Sequence, residues 1–178
     1  MLEGIADPVT LITPTARMAP EVHGGRAKCL QRLVRLDMPV PVTVALSFDA
    51  VRAIARGQMP AIDAILTPFG PGPLLSVRPS SLDPDWGGPG AILNIGMTDA
   101  RHAAMCATIG ERSATQLYLR FIQSYAVHVA RLDPDAFDLP EDPSRAALRA
   151  MLTAYETETD EPFPQDVGHQ LTEVLRSM

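Results

Sequence analysis

Residues 74–96 read LLSVRPSSLDPDWGGPGAILNIG. The apolar run from Leu74 to Val77 predicts a short strand, and it ends on a cation, Arg78. A second apolar run, Ala91 to Ile95, predicts another strand and closes on Gly96. The loop between them carries Pro79, Ser80, Ser81 and the cluster Gly87-Gly88-Pro89-Gly90. An arginine at a strand end beside a glycine-rich loop has two explanations. The planar guanidinium fork can grip an anion, most naturally a phosphate, with Ser80 and Ser81 donating hydrogen bonds and the glycines folding over the ligand. Alternatively the segment is a plain hairpin whose arginine faces water or pairs with Asp83 or Asp85.

The composition bounds the answer. A chain of 178 residues that is 46% apolar, with mean hydropathy +0.05, suits one domain with a real core. The formal charge of −6 argues against a general nucleic-acid binder, which needs a basic face, but it permits a small cationic pocket. Lys28 is the sole lysine, so the positive charge is otherwise arginine. Two cysteines, Cys29 and Cys106, provide neither a disulfide framework nor zinc spacing, and they read as reduced, buried thiols. With no leader-like N-terminus and no apolar run near the roughly 20 residues of a membrane span, a cytoplasmic location away from membranes is expected.

Strands are expected at residues 8–13, 40–46, 74–78 and 91–95. PEVHGG, residues 20–25, reads as a turn, with a helix from Arg26 to before Pro39. Ser47 can cap a helix to about Arg56, and PAIDAILTPF suits another helical turn or two. The rest is helical. Thr98 can cap a helix ending at Gly110, and a long one follows with Leu117, Phe121, Tyr125, Val129 and Leu132 on one face. Asp142-Pro143 reads as the start of the next helix, and Asp166 as the cap of the last. The class is therefore α/β in the mixed α+β sense: one domain, strands and helices over 1–97 and helices over 98–178.

A second segment could bind an anion. In HGGRAKCL, residues 23–30, Gly24 and Gly25 precede a helix opening with Arg26 and Lys28. Cations at a helix start oppose its dipole, and they are easier to understand if an anion sits there. A glycine turn before a solvated helix explains the same residues. His23 and His169 read as exposed, and His128 as lying at a core edge. His102 and Cys106, four apart on a helix, form an incomplete metal pair. The acids of YETETDEPFPQD, residues 155–166, read as a solvated helix end.

Taken in order, several segments carry a resemblance. GGRAKCLQRLVRLDMPVPVTVALS is similar to a helix-strand unit with Gly-Gly-Lys-Gly-Ala-Asn-Leu and Val-Pro-Pro-Gly-Phe. LLSVRPSS is similar to Val-Ser-Val-Arg-Ser-Gly-Ala, and GGPGAILNIGMTDA to a Met-Pro-Gly-Met-Met-Asp-Thr loop leading into Ile-Leu-Asn-Leu-Gly. YLRFIQSYAVHVARLDPDAF and EPFPQDVGHQL are similar to Tyr-Arg-Arg-Phe-Ile-Gln and Phe-Pro-Gln-Asp segments. The chain thus resembles, from about Pro20 onward, the N-terminal nucleotide-binding part of the pyruvate phosphate dikinase family of PEP-utilising enzymes.

The resemblance implies the first half of an ATP-grasp domain, with a small mixed sheet and a helical C-terminal part. It implies weakly held ATP, or another phosphate-bearing ligand, and magnesium only together with the nucleotide. The implied contacts are Gly24, Gly25, Arg26, Lys28, Arg78, Ser80, Ser81, Gly88 and Gly90. The departures are specific. Arg26 stands where the family has lysine, Ala27 where it has glycine, and Pro79-Ser80-Ser81 where it has Ser-Gly-Ala. The glycine loop is shorter by about three residues and lacks its acidic and hydroxyl tip. No match appears to the magnesium-binding half, the phosphohistidine domain or the pyruvate barrel, so phosphoryl transfer by this chain alone is not expected. Two other readings stay open: a subunit of a split phosphotransferase, and a non-catalytic interaction module that keeps only the fold. Both leave an apolar face for a protein partner or a second copy, and the C-terminal helix is the candidate for it.

Overall fold

The computed structural model describes residues 7–80 and 90–178. The class is mixed α and β, and among the described residues the strands pair as two antiparallel ribbons rather than in one mixed sheet. The chain divides into two compact units. One holds the described residues up to Pro71 with Pro79, Ser80 and Gly90. The other holds Gly72–Arg78 and Ala91–Met178. The second ribbon thus clusters with the helices of the C-terminal part, whereas the sequence suggests a division near residue 97.

In the first unit, β1 (Val9–Leu11) pairs with β2 (Val44–Leu46), Thr10 opposite Ala45. Helix α1 (Pro20–Arg35) begins six residues before the expected start. Pro20 suits the first helical turn, where its missing N–H costs nothing. The glycines enter as a break inside the helix, because Gly24 takes φ 81° and ψ 161°, outside helical space. Ile12, Met18, Ala27 and Ala45 form the core of this unit, with Leu30 and Val34 packed against it. Cys29 lies on the other side of α1 and is exposed, contrary to the expected buried thiol. Helix α2 (Phe48–Ala55) is capped by Ser47, whose hydroxyl accepts from the Ala50 N–H at 3.1 Å. Helix α3 (Ile62–Leu66) runs into a 3-10 turn at Thr67–Phe69.

In the second unit, β3 (Leu75–Val77) pairs with β4 (Ile92–Ile95), with an irregularity between Leu75 and Val77. Helices α4 (Asp99–Ile109), α5 (Glu111–His128), α6 (Arg145–Thr159) and α7 (Val167–Ser177) follow. Thr98 and Asp166 cap α4 and α7 through their side chains, as the sequence suggests. Helix α6 starts later than expected, because the Ser144 hydroxyl is the cap while Asp142 is drawn into an ion pair with Arg112 at 2.8 Å. Helix α5 is the spine, burying Tyr118, Phe121, Ile122 and Tyr125, while His128 at its end is exposed.

Phe163, between α6 and α7, inserts its ring among four others. Its centroid lies 6.1 Å from Tyr118, 5.6 Å from Phe121, 5.3 Å from Tyr125 and 5.1 Å from Tyr155, near edge-to-face in each case. Burial pushes the Tyr118, Tyr125 and Tyr155 phenols up, so they stay neutral. The apolar face of α7, including Leu171, Val174 and Leu175, is consumed by this core rather than left for a partner.

Gly96 closes β4 with φ 100°. A Cβ there would collide with the Pro73 carbonyl, and Val167 would lie 3.3 Å away. Gly96→Ala is therefore expected to cost about 2 kcal/mol or more, read as a lowered urea midpoint at unchanged slope. An unaltered midpoint would show that the backbone at this site relaxes freely.

Candidate functional site

Two segments carrying expected site residues meet within the first unit, although they are far apart in the chain. The Arg26 guanidinium Nη1 donates to the Pro79 carbonyl at 2.7 Å. Ser80 packs on Gly24 so closely that a Cβ on Gly24 would fall on the serine hydroxyl. Glycine is required at position 24 twice over, by its positive φ and by this approach.

The junction holds polar atoms without partners. The Ser80 hydroxyl is buried and has no hydrogen-bond partner among the described residues. The same is true of both ring nitrogens of His23. His23 is only 4% exposed, not the exposed turn residue the sequence suggests. It lies inside α1, next to the break at which Ser80 docks. Unpartnered buried polar groups cost free energy, and native structures hold few of them.

The remaining expected contacts fall differently. Gly25 and Arg26 are exposed, and a Cβ at Gly25 or Gly90 would meet open space. The Lys28 ammonium bonds inward, to the Met18 carbonyl at 2.9 Å and to Gln31 Oε1 at 3.0 Å. Gln31, fully buried, donates onward to the Thr13 and Ala16 carbonyls at 3.1 and 2.6 Å. Lys28 thus ties α1 to the segment after β1. Arg78 is exposed just past the end of β3, in the second unit. Ser81 and Gly88 lie outside the described residues.

The described part of the junction offers a guanidinium and a hydroxyl, which suit phosphate oxygens. It offers no ligand set for magnesium: among the described residues, no group of three or more His, Cys, Asp or Glu side chains could hold a metal ion. His102 and Cys106 do approach each other, with Cys106 Sγ 3.5 Å from His102 Nε2, but no third ligand joins them. No described helix is long and apolar enough to cross a membrane. No family model matches the sequence, and no curated protein matches it either.

Burial holds the His23 imidazole below its ordinary pKa of 6.5, with the Ala19 backbone opposing in part. The folded state therefore disfavours protonated His23. The unfolded chain binds its proton first as pH falls, and stability drops from about pH 6.5 downward through the folded-state pKa. The thermal midpoint of wild type is expected to fall more steeply between pH 7 and pH 5 than that of His23→Gln. Parallel pH profiles for the two proteins would show that His23 is not held neutral.

Proposed function

We propose that the chain is a dikinase-like nucleotide-binding module of the ATP-grasp type. It takes a phosphate-bearing ligand, ATP first among them, at the junction of the Gly24-Gly25-Arg26 segment and Ser80. The observation that carries this reading is the buried Ser80 hydroxyl, unpartnered among the described residues and seated on a glycine that could not be any other residue. A phosphate oxygen would accept from that hydroxyl and from the remaining donors of Arg26. The sequence resemblance supports the same ligand class from separate evidence. With Lys28 engaged by the Met18 carbonyl, Arg26 carries the main cationic role within this unit.

Such a ligand binds the folded state alone and stabilises it. At a hundredfold excess over its dissociation constant the gain is about 2.7 kcal/mol, which raises the midpoint of a chain this size by several degrees. ATP, ADP and AMP, each with and without magnesium, should raise the thermal midpoint of wild type. Arg26→Ala should reduce that increment, measured against its own ligand-free baseline. The absence of a shift with every nucleotide would remove the reading.

A second reading, an interaction module that meets a protein partner or a second copy, is favoured by one segment. Leu36, Met38 and Val42, between α1 and β2, are 71%, 53% and 56% exposed. Scattered exposed apolar residues are ordinary, but three within seven positions are a surface feature. Self-association in sedimentation velocity that Leu36→Asp weakens, with stability within about 0.5 kcal/mol of wild type, is the expected signature. A wild type that stays monomeric at every concentration excludes the second copy.

A further inference from the structure

A cleft of about 370 Å³ opens between α4 and α6 in the second unit. Its walls include Asp99, His102, Cys106, Arg145, Leu148 and Arg149. Cys106 is half-buried, and its Sγ lies 3.5 Å from His102 Nε2. His102 is 8% exposed and shares the same nitrogen with the Thr115 hydroxyl at 2.9 Å. Both partners meet the same nitrogen, which has one lone pair and accepts from only one of them at a time. Arg145 and Arg149 stand one helical turn apart on α6. Arg145 shares its Nε with Glu111 of α5 at 2.9 Å, and Arg149 is exposed. Asp99 is the acid at the cleft wall, and its Oδ1 already accepts from the Tyr118 hydroxyl at 3.0 Å.

These groups make a nucleophile with a proton acceptor beside it and cations across from it. Thiols react where they are partly exposed with a proton acceptor and a cation near them. We propose that Cys106 is a thiol-exchange site for small disulfides bearing carboxylates, and that His102 and the α6 arginines serve it. With Arg145 paired to Glu111, the Arg149 guanidinium and the Asp99 carboxylate suit the carboxylate and ammonium of a zwitterionic peptide, and Leu148 supplies an apolar floor. The exchange is balanced. The Cys106 thiol gives its proton to His102 Nε2, with the Thr115 hydroxyl oxygen then accepting from that N–H, and the sulfur attacks one sulfur of the incoming disulfide. The old S–S bond breaks as the new one forms. The departing thiolate takes the proton from His102, and no net electrons are gained or lost.

Cys29 is the internal comparison, since it is the more exposed thiol and lies in the other unit. The whole chain is treated with glutathione disulfide, and separately with uncharged hydroxyethyl disulfide, and adducts are followed by intact mass. Cys106 in Cys29→Ser should react with glutathione disulfide about tenfold faster than Cys29 in Cys106→Ser, against the order of exposure. Arg149→Ala, a surface change, should slow the glutathione reaction severalfold and leave the hydroxyethyl reaction unchanged. Cys29 reacting as fast or faster would overturn the proposal. So would Arg149→Ala affecting both reagents alike, or neither.

Discussion

The second unit depends on one ring. Phe163 lies on no regular element, yet Tyr118, Phe121 and Tyr125 of α5 and Tyr155 of α6 all pack edge-on against it. Because the ring is fixed, the residues after it are fixed too. Gln165 Oε1 accepts from the Asp99 N–H at 2.8 Å, and its Nε2 donates to the Tyr118 hydroxyl at 3.0 Å. The Pro164 carbonyl accepts from the buried Gln170, which also bonds the Met97 carbonyl and the Gly96 N–H. Asp166 then caps α7. Four consecutive residues, Phe-Pro-Gln-Asp, thus bind the start of α4, the end of β4 and the start of α7 to one aromatic centre. Removing that ring would leave a cavity no neighbour can fill, a loss of about 3–5 kcal/mol for a buried phenylalanine.

The first unit solves the same problem with polar groups. Its core is small, built from Ile12, Met18, Ala27 and Ala45. Gln31 and Lys28 supply the fixing that bulk cannot. Together they donate to the Thr13, Ala16 and Met18 carbonyls, all in the irregular segment between β1 and α1. A buried amide with its hydrogen bonds made specifies a position strongly, because leaving it unmade is costly.

What could be read from the sequence follows from this division. Cap residues announce themselves locally, so Ser47, Thr98 and Asp166 sit where their chemistry suggests. The apolar stripe of α5 is legible in part: Phe121 and Tyr125 are buried as its period suggests, but Leu117 is only half-buried, and Val129 and Leu132 lie past the helix end at His128. Asp142 misleads because its partner is Arg112, thirty residues away. Lys28 reads as a ligand-facing cation because no local pattern reveals that the Met18 carbonyl stands ten residues upstream to receive it. His23 reads as exposed because PEVHGG reads as a turn, whereas the residue lies inside α1. The runs on either side of the glycine loop do pair antiparallel, as a hairpin would, while Ser80 reaches the glycines of α1.

Satisfied and unsatisfied buried groups are distributed unevenly in this chain. Gln31 and Gln170 are fully buried, and each makes at least three hydrogen bonds. These networks act as framework. Among the described residues, four buried side-chain atoms lack a partner, and three of them belong to His23 and Ser80. The fourth, Arg101 Nε, belongs to a side chain with several other donors. A fold that pairs its buried amides so fully could pair a serine hydroxyl as well, by a small rotation or a different residue. Among the described residues this hydroxyl is left open above a glycine backbone, which separates the junction from the glutamine networks that fix each unit.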